Sequence, residues 1–172
     1  SPALATIAIL IAREKSGPVL FRQERIGRGG KPFRILKFRT MPVDYESDGP
    51  HLSACCSQAS SPLATTLRDH HLDELPQLWN VVKGEMSFVG PRPERRFFVD
   101  KIKAINPNYE LLYQLRPGLF SPATLYNGYT DTMDKMLERL RMDLEYLNNR
   151  SLWLDLKIIY LTVMSILIGK KF

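Results

Sequence analysis

The chain has 172 residues, 44% of them hydrophobic and 24% charged, with a formal net charge of +6. That length supports a domain with its own core, and that balance of apolar and charged residues excludes a disordered chain. Residues 1–41 hold nine Lys or Arg against only Glu14 and Glu24, so the positive charge is an N-terminal property, suited to a polyanionic surface or phosphate-rich ligands.

Residues 2–12, PALATIAILIA, carry no charge and run directly into Arg13, Glu14 and Lys15. Crossing a bilayer takes about twenty apolar residues, so this run is too short to span. A buried helix, the end of a spanning helix begun upstream, and a segment that dips into one leaflet and returns all stay open. The cations that follow favour the membrane readings. Ser1-Pro2 is an unusual natural start and implies sequence upstream; no cleavable signal is visible.

From Gly17 to Met41 the apolar period becomes two. Val19 and Phe21 alternate with Leu20 and Arg22, then Phe33, Ile35 and Lys37 with Arg34 and Leu36. With Gly27, Arg28, Gly29 and Gly30 between the runs, this predicts a β-hairpin carrying Arg22, Arg25, Arg34, Lys37 and Arg39. Residues 42–66 read as a long loop, a length typical of functional lids or disordered segments. The neighbouring Cys55 and Cys56 lie in it, with no metal-ligand spacing around them, which favours a reduced protein. His70 and His71 follow Asp69, but adjacent side chains point different ways on regular backbone, which argues against a shared metal.

Leu72, Leu75, Leu78 and Val82 recur at helical spacing up to Lys83-Gly84, which predicts one helix with Asp73 and Glu74 in its first turn and Pro76 tolerated there. On spacing alone the two acids are helix-capping residues. Further helices are predicted over 94–105, ended by Asn106-Pro107, and over 109–115, ended by Arg116-Pro117-Gly118. Residues 124–129 read as a short strand with Asn127-Gly128 as a turn. Thr130 or Asp131 then caps a helix with Met133, Leu137, Leu140, Leu144 and Leu147 as its apolar stripe. Residues 152–168 are apolar except for Asp155, Lys157, Thr162 and Ser165. Trp153, Tyr160, Lys170 and Lys171 fit a helix lying at a membrane interface, with a buried core helix as the alternative.

The blocks GPVLFRQERIGRGGKPFRILKFRTM, LDELPQLWNVVKGEMSFVGPRPE, LRPGL and SLWLDLKII, in that order, resemble the bacterial sugar transferase family, whose single-domain members are membrane-associated phosphoglycosyl transferases. The resemblance implies an α+β, mainly helical, monotopic catalytic domain over 1–172. Residues 1–12 would be the remnant of a re-entrant helix bent at Ser1-Pro2, and 151–172 an interfacial helix. It implies transfer of a phosphosugar from a UDP-sugar to polyprenyl (undecaprenyl) phosphate, with release of UMP and a covalent phosphosugar–Asp intermediate, at the cytoplasmic face of the bacterial inner membrane. Such a step starts assembly of surface glycans such as exopolysaccharide, lipopolysaccharide or O-antigen. By matching positions, Asp73 is the nucleophile and Glu74 the Mg²⁺ ligand. Arg68 and Arg92 contact phosphate or nucleotide, and Lys37, Arg39, Arg116 and Asp155 line the site. Membrane phospholipid is an implied partner, nucleic acid is not, and a homodimer is compatible with the resemblance.

The chain also departs from the family pattern. Asp69, His70 and His71 stand where basic and hydroxyl residues are common, ACCSQASSPLATT replaces an Asp-Pro-Arg segment, and Leu119-Phe120-Ser121-Pro122 replaces Thr-Gly. A catalytically silent membrane-surface scaffold of the same fold is the main alternative. Nucleic-acid binding through the hairpin is another, opposed by thin aromatic interleaving and by the membrane-type termini.

Overall fold

The structure is a computed structural model that describes residues 2–14, 17–43, 61–127, 130 and 132–168. The Ser1 side of the expected bend, Lys15, Cys55 and Cys56, residues 44–60 of the expected loop, Gly128, Asp131, Lys170 and Lys171 lie outside the described residues. Helices dominate, joined by a small amount of sheet, as the α+β expectation requires.

Helix α1 (Pro2–Arg13) buries Ile11 against Phe38 and Leu67, with Leu4, Ile7 and Ala8 packed around them. Ile9 and Leu10 stay exposed on its other side. Among the described residues no helix is long and apolar enough to cross a membrane.

Strands β1 (Leu20–Ile26) and β2 (Pro32–Phe38) form the expected antiparallel hairpin. Gly29 and Gly30 at its tip both adopt φ 69°, a left-handed conformation that glycine enters without a Cβ penalty. Opposed residues share a face, so the pairs Phe21–Lys37, Gln23–Ile35 and Arg25–Phe33 lie together, with Arg22–Leu36 and Glu24–Arg34 on the reverse. The first face is turned inward. The hairpin cations are therefore divided, with Arg25 and Lys37 partly buried and Arg22 and Arg34 exposed.

The end of the expected 42–66 loop is helical instead. Ser61 caps α2 (Pro62–Asp69), its hydroxyl accepting from the Ala64 N–H at 3.0 Å, with Pro62 in the first turn. The predicted helix over 72–83 is broken in two: a 3-10 helix over Leu72–Gln77, then a short α3 over Leu78–Val82. Pro76 cannot donate to the carbonyl four residues back and crowds it, so an α-helix does not run through. Nor is the apolar repeat buried along its length, since Leu72 and Leu75 pack inward while Leu78 and Val82 are exposed.

Strand β3 (Ser87–Val89) pairs in parallel with β4 (Gly118–Phe120). Gly90 and Gly118 approach each other's backbone so closely that a Cβ on Gly90 would stand 2.5 Å from the Arg116 carbonyl oxygen. Helix α4 (Arg96–Ile105) begins two residues later than expected, because the Glu94 carbonyl is already taken by the Ile26 N–H at 2.9 Å. The next segment is a 3-10 helix, Pro107–Gln114, capped by Asn106.

Residues 124–127 of the predicted strand lie instead in a helix, α5 (Pro122–Asn127). Its reason is local: the buried Ser121 hydroxyl accepts from the Ala123 N–H at 3.2 Å and Pro122 pre-sets the first turn. Helix α6 (Met133–Asn149) is capped by Thr132 rather than by residue 130 or 131. Its buried line is Met136, Leu140, Asp143 and Tyr146, with Met133, Leu137 and Leu144 packed at the margin. Helix α7 (Leu152–Leu167), capped by Ser151, buries Ile158 and Thr162 and exposes Leu152, Trp153, Leu156, Tyr160 and Val163.

Apolar clusters hold these pieces together. One joins Ile26, α4, the second 3-10 helix and α6; another joins Val89, Leu125, Tyr146 and Ile158; the third seats α1 on β2 and α2. The first 3-10 helix lies against β2, which places Glu74 within reach of Lys37.

Candidate active site

Asp73 and Glu74 are 8% and 6% exposed, deep burial for carboxylates. A buried carboxylate must be paired or must give up its charge, and these neighbours take different routes. Lys37, on the inward face of β2, donates to Glu74 Oε1 at 2.7 Å. Arg92, from the turn after β3, donates to the same oxygen through Nη2 at 2.6 Å and to Oε2 through Nη1 at 3.4 Å. Among the described residues no hydrogen bond or ion pair holds the Asp73 carboxylate.

The electrostatics follow from that difference. Burial, reinforced by the Glu74 charge, pushes Asp73 up to about 6 against the opposing pull of Lys37, Arg92 and Arg68. Burial would raise Glu74 too, but Arg92 and Lys37 outweigh it and hold that carboxyl well below its ordinary value. Glu74 in turn raises the Arg92 guanidinium. Lys37 and Arg92 side chains keep 20% and 25% of their surface exposed, so both reach solvent from a buried anchor.

The segment is fixed by a residue that spacing did not flag. Asn80 is 1% exposed; its Nδ2 donates to the Arg34 carbonyl at 2.8 Å and to Glu85 Oε2 at 2.7 Å, while its Oδ1 accepts from the Leu36 N–H at 3.1 Å. It therefore rivets α3 to β2 beside Lys37. The faint sequence signal for it was an Asn inside a short helix, where that residue is a poor helix former. On the approach to the dyad, His71 adopts φ 53°, ψ 21°, the left-handed region where a side chain is strained, and closes the way into the 3-10 helix. Burial lowers its pKa, and the charges of Glu74, Arg92 and Lys37 act on it.

The expected site residues thus fall into groups. Asp73, Glu74, Lys37 and Arg92 are brought together, and Arg68, from the last turn of α2, acts on Asp73 electrostatically. Arg39 donates instead to the Pro18 carbonyl at 2.9 Å and lies over the Phe21 ring. Arg116 is exposed just before β4. Asp155, at the start of α7, accepts from the Tyr146 hydroxyl at 2.6 Å. None of the last three is among the principal charges acting on the dyad.

Mg²⁺ takes oxygen donors, commonly one or two carboxylates completed by phosphate oxygens and water. Glu74 Oε2, met among the described residues only by the 3.4 Å Arg92 contact, is a donor of that kind. The chain's own residues fit such an ion only with a ligand's oxygens added; no group of three His, Cys, Asp or Glu that could hold a metal occurs among the described residues.

A buried carboxylate pair with its charges driven apart, faced by solvent-reaching Lys and Arg side chains, defines a centre suited to a phosphate-bearing ligand. Comparison with known proteins makes the class specific: the family model described as bacterial sugar transferase matches residues 1–169, and the chain belongs to that family. It is 39% identical over 169 residues to a UDP-N-acetylgalactosamine-undecaprenyl-phosphate N-acetylgalactosaminephosphotransferase of Aeromonas hydrophila, covering 98% of this chain and 40% of that protein. It is 40% and 43% identical to UDP-glucose:undecaprenyl-phosphate glucose-1-phosphate transferases of Klebsiella pneumoniae and Caulobacter vibrioides. Those matches cover 99% and 97% of this chain but 37% and 63% of the relatives, so the chain spans less than two thirds of each.

Proposed function

We propose that this chain transfers a phosphosugar from a UDP-sugar to undecaprenyl phosphate, with release of UMP, through a phosphosugar carried on Asp73. The observation that carries the proposal is the division of labour within the dyad: Glu74 is clamped by Lys37 and Arg92, and Asp73 has no fixed partner among the described residues. In the first step an Asp73 carboxylate oxygen attacks the sugar-linked phosphorus; the bond from that phosphorus to the bridging oxygen breaks and UMP leaves with the electron pair. In the second, an oxygen of undecaprenyl phosphate attacks the same phosphorus, and the acyl phosphate bond to Asp73 breaks, restoring the carboxylate.

Each charged neighbour has a physical task. Glu74 holds Lys37 and Arg92 in place, and their exposed faces neutralise the diphosphate as Asp73 approaches it. Arg68 adds positive potential on the Asp73 side. Glu74 Oε2 would hold Mg²⁺ together with ligand oxygens, and the ion, when bound, would withdraw charge from the phosphoryl oxygens.

The lipid acceptor requires the chain to work at a membrane, and we place it on the cytoplasmic face of the bacterial inner membrane, bound as a monotopic protein through α1 and the apolar face of α7. In support, Trp153 and Leu156 are exposed on one side of α7, and Ile9 and Leu10 on α1. The test is UMP release from a panel of UDP-sugars with undecaprenyl phosphate and Mg²⁺. Asp73→Asn should abolish it, and a scaffold without activity would release none from any donor.

A further inference from the structure

The turn that presents Arg92 is pinned along its length. The Gly90 N–H donates to the Phe120 carbonyl at 3.1 Å, and the Pro91 carbonyl accepts from the Gly118 N–H at 2.9 Å. The Arg92 backbone also acts on the Asp143 carboxyl of α6, opposing the rise that burial gives it. Arg25 Nη1, on the inward face of β1, donates to the Pro93 carbonyl at 3.2 Å, and the Glu94 carbonyl takes the Ile26 N–H. Beyond the turn, the buried Glu94 carboxylate sits between guanidiniums: Arg25 Nη1 at 3.4 Å from Oε2, and Arg139 Nη1 of α6 bonded to Oε1.

We infer that Glu94 is a positioning residue, which ties β1 and α6 together behind Arg92 and thereby fixes the direction in which the Arg92 guanidinium meets Glu74 and the phosphate. A buried ion pair is a poor source of stability, because desolvating its members offsets their attraction. This one carries a further cost, since the buried Nε atoms of both Arg25 and Arg139 have no hydrogen-bond partner. What the arrangement does secure is direction. Glu94 is two residues from Arg92, its partners come from separate elements, β1 and α6, and one of them also holds the intervening Pro93 carbonyl. Misplacement of a catalytic contact by about 1 Å can cost a hundredfold in rate.

The inference rests on the phosphosugar-transfer reading, and the test separates the two. UMP release is measured for the wild type, Glu94→Gln, Arg25→Lys, Arg92→Ala and the Arg92→Ala/Glu94→Gln double variant, each well below its melting temperature. The Arg92 side-chain Nε–H resonance is followed by NMR in the wild type, Glu94→Gln and Arg25→Lys. Glu94→Gln should lower kcat by about tenfold to a hundredfold, but by less than about twofold in the Arg92→Ala background, since residues acting as a unit are non-additive. Arg25→Lys keeps the charge and loses the fork, and should show the same pattern more weakly. The Arg92 signal should move or broaden in both variants. An unchanged kcat, an equal loss in the Arg92→Ala background, or an unmoved Arg92 signal would overturn the inference. Loss of fold in both variants would assign Glu94 to stability alone and overturn it equally. A wild type that releases no UMP defeats the parent reading instead, and the Arg92 signal then decides the positioning role by itself.

Discussion

Asp73 and Glu74 are adjacent in the chain and similarly buried, yet their surroundings separate them. One keeps its charge because cations are pressed against it; the other is pushed up to about 6 and has no fixed partner among the described residues. Titratable neighbours with divergent environments are how a single site obtains different roles from like groups. For the proposed transfer the sign is direct: Asp73 would have to be ionised to attack, and its ionised fraction rises with pH through about 6. A kcat/KM profile against pH should therefore climb by about tenfold per unit below that midpoint and flatten above it. A profile flat from about pH 5 to 8 would contradict the assignment. The identities of the acids were legible in LDELPQ, but their difference was not, because it comes from Lys37 and Arg92, distant in sequence.

At the scale of elements, local patterns succeeded where one segment decides its own conformation. The hairpin shows this, with its period of two and glycine tip, and so do the helix ended by Asn106-Pro107 and the helix expected over 152–168. They failed where a tertiary partner or a special backbone intervened. The apolar spacing from Leu72 to Val82 did not become one helix, and residues 124–127 became helix because Ser121 and Pro122 start one. Helix α6 shows the limit of periodicity: of the expected stripe only Leu140 is buried, with Met133, Leu137 and Leu144 at the margin, and the buried line takes in Asp143, a residue type seldom fully buried. Burial pushes the Asp143 carboxyl up to about 7, against Arg139 and the Ser121 hydroxyl. Its folded pKa lies above the unfolded value of 3.8, so its contribution to stability is complete below that value and is lost as pH rises through about 7. Asp143→Asn keeps an acceptor for Ser121 and needs no ionisation. It should raise the melting temperature at pH 8 and flatten the decline in stability between about pH 4 and 7, a slope of at most about 1.4 kcal/mol per pH unit in the wild type. A lower melting temperature at pH 8 would contradict this.

For the whole molecule, the packing of β1, β2 and α6 around the turn after β3 brings residues 37, 74 and 92 to one place, and the family match spans residues 1–169. The resemblance named most of this set; composition and spacing alone offered only a basic N-terminal region and a capped helix. The exposed residues Leu152, Leu156, Tyr160 and Val163 recur along one face of α7, opposite the side that buries Ile158 and Thr162. If that face lies on lipid, Leu156→Asp/Tyr160→Asp should weaken flotation with anionic vesicles by at least about tenfold, because each apolar side chain withdrawn from water contributes about 1.5–3 kcal/mol. Its fold should be unaffected, since both positions are exposed. Unchanged flotation would move the membrane contact elsewhere.

The central claim is that Asp73 carries the phosphosugar. Intact-protein mass spectrometry after incubation with each UDP-sugar and Mg²⁺, without lipid acceptor, tests it most directly. The account predicts a mass gain equal to one phosphosugar in the wild type for the donor that is used, mapped to the peptide containing Asp73, lost on adding undecaprenyl phosphate, and absent from Asp73→Asn. An adduct on another residue, or UMP release by Asp73→Asn at the wild-type rate, would contradict it.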